Sequence, residues 1–216
     1  MLESFFKSLG GRYKRIRKRC KGRPDPEIYA LKVAQLTELE QLSKQGTIDL
    51  FYGDESHVCS EGYTPYGWQF PGEAVHTAVA KGYKLNVWGL LTRTNELHWA
   101  TSEAAIDGAF VFAQLEKLSW QVRKPTVVVL DNARIHKSKI IQQQLLYWEQ
   151  RGLYLFYLPT YSPHLNIAET LWRKMKKEQI DPHHYATKET LFYAVNRCLA
   201  QFGKEWNIKF SDFRIT

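Results

Sequence analysis

The spacing of apolar positions changes along this chain. In TIDLFYGDES, Ile48, Leu50 and Tyr52 fall at every second residue, the pattern of a strand with one buried face, and Asp54 continues that face at the strand's end. KLNVWGLLTRTNELHWAT predicts two strands joined by a turn near Thr94–Asn95. TVVVLDNARIH opens with a continuous β-branched run, as in a strand buried on both faces, and LYLFYLP predicts another buried strand.

Elsewhere the period is helical. PDPEIYALKVAQLTELEQLSKQG carries start and stop signals: Asp25 to cap, Pro26 at the first helical position, Gly46 to end. Its stripe is Ile28, Leu31, Leu36, Leu39 and Leu42. SEAAIDGAFVFAQLEKL predicts a helix capped by Ser102, and KSKIIQQQLLYWEQRG an amphipathic one ended by Gly152. In SPHLNIAETLWRKMKK, Ser162 can cap and Pro163 suits the first turn, with Leu165, Ala168, Leu171, Trp172 and Met175 as the apolar stripe. TKETLFYAVNRCLAQFG predicts a last helix. Residues 55–83 are rich in Gly, Pro and aromatics without a period, which predicts a long functional or partner-contacting loop.

Three meandering strands followed by alternating helix and strand predict an α/β fold, a mixed sheet covered by helices. Ligands in such sheets gather at the carboxyl ends of central strands.

Composition narrows the class. At 44% hydrophobic and 14% aromatic, the chain is that of a folded protein. No apolar run approaches the ~20 residues of a membrane span, and no secretory signal is expected. Cys20, Cys59 and Cys198 are too scattered for a CxxC metal pair or a disulfide framework. The net charge of +8 is concentrated: residues 1–23 carry nine Lys/Arg against one Glu, and acids and bases balance thereafter. GRYKRIRKRCKGR is therefore either a polyanion-binding segment or a solvated arm.

Three carboxylates stand out. Asp131 ends the most apolar strand, where an unpaired carboxylate is costly. It is either a ligand aimed into a site or a cap for the backbone of the NAR turn. Asp54 ends its strand with the same two readings, while Glu55, by alternation, faces away and is left out of the cluster. Glu169 stacks with Leu165 and Trp172 on a helix, at the border of the buried face. An i,i+4 pair with Arg173 would not explain that side. Carboxylates from two strand ends and one helix suit hard divalent cations such as Mg2+, and two such ions suit phosphoryl transfer. A basic segment fits the same phosphate-bearing substrate. No phosphate-binding loop, HExxH or G-x-S-x-G motif competes, and the seven histidines lack zinc spacing. His136 and His164 each follow a site element by a few residues, as accessory groups or as loop histidines bonded to backbone.

Together, LFYGDES, VVVLDNARIHKS and LPTYSPHLNIAETLWRKMKK resemble the catalytic segments of DDE transposases, with the closest match in the bacterial insertion-sequence branch of the mariner superfamily. The resemblance runs from about Arg12 to the end of the last helix. It implies a ribonuclease-H-like fold and a catalytic, metal-binding triad of Asp54, Asp131 and Glu169. It also implies Mg2+ or Mn2+ as cofactor, with no small-molecule cofactor, and DNA as partner, both terminal inverted repeats and target. A homodimer and a cytoplasmic, nucleoid-associated location follow from the same likeness. DNA contacts are expected from Arg12, Lys14, Arg15, Arg17, Lys18, Arg19, Lys137, Lys174 and Lys177, with Asn132, His136, His164 and Asn166 as accessory candidates. The expected organisation is a basic end of a DNA-binding region at 1–24, a linker helix at 25–46 and the catalytic domain at 47–216. Only the basic end of the family's helix-turn-helix region is recognisable, and Asn166-Ile167-Ala168 replaces a more usual Asn-Pro-Ile. The expected activity is phosphodiester hydrolysis at transposon ends followed by strand transfer. A non-catalytic DNA-binding remnant and a plain metal nuclease of the same fold are the alternatives.

Overall fold

The computed structural model describes Gly22 and residues 24–60 and 82–213. The basic stretch holding Arg12, Lys14, Arg15, Arg17, Lys18 and Arg19, with Cys20, lies outside the described residues, as does most of the predicted long loop.

Among the described residues the first element is helix α1 (Pro26–Lys44). Strands β1 (Asp49–Cys59), β2 (Lys84–Leu91) and β3 (Leu97–Ser102) follow. Helix α2 (Gly108–Ser119), strand β4 (Thr126–Leu130), helix α3 (Lys139–Gln150) and strand β5 (Leu153–Tyr157) then alternate. Helices α4 (Ala168–Lys174) and α5 (Lys188–Gln201) complete the order. The five strands form one sheet in the order β3-β2-β1-β4-β5. β1–β2 and β2–β3 pair antiparallel, and β1–β4 and β4–β5 parallel. This is the predicted mixed sheet.

Each face of the sheet has its own core. Leu50, Tyr52 and Val129 point to the face covered by α1, α4 and α5, with Leu171, Trp172, Leu191 and Val195. Phe51, Val128 and Leu130 point to the face covered by α2 and α3, with Val111, Leu115, Ile141 and Trp148. Burying each such large side chain contributes about 1.5–3 kcal/mol.

Asp25 caps α1 through the amides of Glu27 and Ile28, Pro26 occupies its first turn, and Gly46 leaves it at φ 77°, as its sequence predicts. Its buried face differs from the expected stripe. Val33, Leu36 and Glu40 are buried, while Ile28 and Leu31 are 55% and 59% exposed. The docked face is fixed by Glu40, whose carboxylate accepts from the Tyr52 hydroxyl and pairs with Arg93 Nε at 2.6 Å.

Four local expectations are corrected. β1 does not end at Asp54 and is not buried on one face only; it runs to Cys59, because β2 pairs with it as far as Cys59↔Lys84. Helix α2 is capped by Asp107, not Ser102, because Ser102 is still paired with Asn86 in the sheet. β5 is the sheet edge, so its side chains after Leu153 are only partly covered. Ser162 and Pro163 start a single 3-10 turn (Pro163–Leu165), and the α-helix that follows begins at Ala168. The buried Ser162 hydroxyl donates to Thr160 O rather than capping the helix.

Candidate active site

Asp54 and Asp131 come together through strand register. The last β1–β4 pair is Tyr52↔Val129. Asp54 and Asp131 each lie two residues further on, Asp54 in the middle of β1 and Asp131 just past the end of β4, so by alternation both continue the face of Tyr52 and Val129. Helix α4 covers that face and carries Glu169 in its first turn. The expected apolar stripe of Leu165, Ala168, Leu171, Trp172 and Met175 is wholly buried, which leaves Glu169 at the solvent rim.

Asn166 locks this arrangement. Its side-chain amide donates to Gly53 O at 3.0 Å, and its Oδ1 accepts from Ala168 N at 3.1 Å. The start of α4 is thus tied to the residue before Asp54. Trp172, one turn along α4, donates its indole N–H to Asp54 Oδ2 at 3.0 Å.

The electrostatics are those of crowded carboxylates. Burial pushes the Asp54 carboxyl up, and Glu169, Glu55 and Asp131 add repulsion, to about 8, against the lowering effect of the Trp172 hydrogen bond. Glu169 is raised by burial and by Asp131 and Glu55, with Lys176 opposing. Asp131 goes the other way: burial would raise it, but hydrogen bonds from His136 and the Ala133 amide, with the charges of His136 and Lys137, hold it low. Asp131 Oδ1 accepts from Ala133 N at 2.9 Å and lies 2.8 Å from His136 Nδ1, so the capping role and a place in the cluster coexist.

The exclusion of Glu55 is corrected. It does sit on the opposite face from Asp54, but His136, fully buried, reaches both sides: its Nε2 lies 3.1 Å from Glu55 Oε2. That contact is an ion pair without the alignment of a hydrogen bond. The two carboxylates overcome the lowering effect of burial and raise His136 to about 9. Lys176, which the sequence offers only as one of the positive charges along the helix with Lys174 and Lys177, is a second residue drawn to the carboxylates. Burial lowers its ammonium pKa, while Glu169, Cys59 and Asp54 act to raise it. It lies seven residues after Glu169, in the π-helical segment (Met175–Gln179) that continues α4.

The remaining candidates separate. Asn132 donates to Leu158 O and accepts from Lys137 Nζ, which also lies 4.8 Å from the centre of the Tyr157 ring. These residues brace the β4–β5 ends next to Asp131. His164 is drawn away to α1, its Nε2 2.9 Å from the Tyr29 hydroxyl. Lys174 pairs with Glu178 at 3.0 Å, and Lys177 is exposed on the same segment. Glu169 makes no ion pair with Arg173 among the described residues; the cation acting on it is Lys176.

Among the described residues, the set of three metal-ligating side chains gathered within 4.8 Å is Asp181, His183 and His184, not the three carboxylates. That set is a helix-end cap. His184 Nδ1 accepts from Asp181 N at 3.1 Å, which uses the lone pair and leaves the ring hydrogen on Nε2. The carboxylates have the opposite character: oxygen donors only, crowded enough to repel, as suits a hard divalent cation.

The site is thus a group of acidic residues on one face of a mixed five-stranded sheet. The sequence profile of the DDE superfamily endonucleases matches residues 49–192, and the chain belongs to that family. A search of curated proteins finds no match. Among solved structures, the fold is similar to the Mos1 mariner paired end complex with Mn, at TM-score 0.56 and 16% identity over 95% of this chain and 71% of that one. The Mos1 strand transfer complex is similar at TM-score 0.50 and 13% identity, over 95% and 70%. The fold is the ribonuclease-H-like α/β architecture of transposases. Among the described residues no helix is long and apolar enough to cross a membrane.

Proposed function

We propose that this chain is the catalytic domain of a transposase related to the mariner group and its bacterial insertion-sequence branch, acting on DNA in the cytoplasm at the nucleoid. Asp54, Asp131 and Glu169 serve as the catalytic triad and hold Mg2+ or Mn2+, two ions in the full site. The observation that carries this reading is geometric: Asp54 and Asp131 share one face of adjacent strands, and Asn166 ties the start of the helix that bears Glu169 to Gly53, in a chain of the DDE endonuclease family. Burial with Glu169, Glu55 and Asp131 pushes the Asp54 carboxyl up to about 8. Such crowding is unfavourable by itself and is relieved by a bound cation. Bound divalent ions supply an activated oxygen nucleophile and neutralise the leaving oxygen in phosphodiester cleavage.

The chain's own residues have separate roles. Asp131, kept ionised by His136 and the Ala133 amide, is the pre-charged ligand. Asn166 sets the helix bearing Glu169 against β1. Lys176, Lys174, Lys177 and Lys137 offer positive charge to the phosphate backbone around the cluster. Residues 1–24, 25–46 and 47–216 are read as the basic end of a DNA-binding region, a connecting helix and the catalytic domain, working as a homodimer on terminal inverted repeats and target DNA. In the first step water attacks phosphorus and the 3′ oxygen leaves as a hydroxyl. In the second that hydroxyl attacks a target phosphodiester and displaces its 3′ oxygen.

Incubation of the chain with Mn2+, a supercoiled plasmid and a labelled duplex with a free 3′-hydroxyl tests this. Joined plasmid–duplex products are expected. Cutting without joining would reduce the reading to a metal nuclease, and DNA binding without cutting to a non-catalytic remnant.

A further inference from the structure

Across the antiparallel β1–β2 pair, Asp54 faces Gly89. A Cβ on Gly89 would come within 2.7 Å of Trp172 Cη2 and 3.1 Å of Cζ2. The six-membered ring of the indole therefore lies in the space that any other residue at position 89 would fill. From there its Nε1 reaches Asp54 Oδ2 at 3.0 Å. Glycine inside a strand weakens it relative to alanine by roughly 0.5–1 kcal/mol, and marks a close approach. Here the approach is that of Trp172, itself only 3% exposed. Packing alone would be served by leucine or phenylalanine. The buried Trp88 indole leaves its N–H without a partner, whereas that of Trp172 finds one, the most perturbed carboxylate of the cluster.

We propose that Trp172 is the positioning residue for Asp54 and that Gly89 is the notch that admits it: the indole N–H holds Oδ2 and so fixes the carboxylate that would hold a divalent cation. Helix α4 then delivers two functions one turn apart, Glu169 at the rim and the donor that orients Asp54 beneath it. This rests on the reading of Asp54 as a metal ligand.

Calorimetric titration of the full chain with Mn2+ tests the proposal, with thermal unfolding measured on each variant. Trp172→Phe removes the N–H but leaves a void. Replacement of Trp172 by 3-benzothienylalanine removes the N–H and keeps the shape. Gly89→Ala keeps the N–H but displaces the ring. Each is expected to bind Mn2+ roughly 10-fold more weakly, the scale of losing a partner that orients a ligand. The benzothienyl variant should unfold at the wild-type temperature and recover its DNA-cutting rate at saturating Mn2+. Wild-type Mn2+ affinity in the benzothienyl variant would overturn the positioning role, whether or not Trp172→Phe folds. If Asp54→Asn bound Mn2+ as the wild type does, the failure would lie instead in the ligand assignment of Asp54.

Discussion

His136 Nδ1 lies 2.8 Å from Asp131 Oδ1, and the same fully buried ring meets Glu55 Oε2 at 3.1 Å with its other nitrogen. One cation thus joins carboxylates from two strands and two faces of the sheet. Removing it takes the ion pair from Glu55 and leaves Asp131 with the Ala133 amide and the Lys137 charge. His136→Ala is expected to destabilise the fold by about 1–3 kcal/mol, because both carboxylates it leaves are partly solvated, and to weaken divalent-cation binding by roughly 10–100-fold. Urea denaturation and metal titration of the same variant measure the two effects.

His136 also sets a pH dependence. Its folded pKa of about 9 stands above the ordinary 6.5, so the folded state holds the proton more tightly. Its contribution is complete below about pH 6.5 and is lost as pH rises through 9. His136→Gln should flatten the stability profile across that window, read by thermal unfolding at a series of pH values.

Asp54 has the same sign at a lower window. Its carboxyl is raised from 3.8 to about 8, so metal-free stability falls as pH rises between those values. Asp54→Asn should remove this fall and stabilise the metal-free protein near pH 7. A gain of ~1 kcal/mol would raise Tm by roughly 2–4 °C for a chain of this size. The same variant should lose the Tm increase that Mn2+ gives the wild type.

With Asp54 as a ligand, as proposed, cation binding would displace its proton below pH 8. Apparent Mn2+ affinity is therefore expected to rise with pH up to about 8. Calorimetry in two buffers of different ionisation enthalpy should register a proton released in the wild type and none from this group in Asp54→Asn.

Asn166→Ala strips the buried Gly53 carbonyl and the Ala168 amide of their partner. The expected cost is about 1–3 kcal/mol by chemical denaturation. DNA cutting should fall further than stability alone explains, because the start of α4 is no longer tied to the strand of Asp54.

Much of this was legible in the sequence, and the gaps have physical reasons. Strand periodicity ending in an acid marked Asp54 and Asp131, and helical spacing put Glu169 at the border of a buried face. Asn166 stood out through a family motif, and its hydrogen bond to Gly53 explains the position. Glu55 was passed over because alternation turns it away from Asp54; no rule of spacing reveals that a histidine eighty-one residues later bridges it back to Asp131. Trp172 was counted only as an apolar residue, since its acceptor lies on another element. The partial exposure of β5 depends on its place at the sheet edge, which strand composition does not encode. Ile28 and Leu31 fit a helical stripe, yet α1 docks through Val33, Leu36 and the charged Glu40, because Tyr52 and Arg93 supply partners for that carboxylate.

The central claim is that Asp54, Asp131 and Glu169 act as one metal-dependent unit, although one is buried, one is held ionised by a histidine and one stands at the rim. Cleavage of supercoiled plasmid with Mn2+, run side by side for the wild type and for Asp54→Asn, Asp131→Asn and Glu169→Gln, tests it most directly. The account predicts metal-dependent cutting by the wild type and background levels in each of the three variants. Wild-type cutting by any one of them would contradict it.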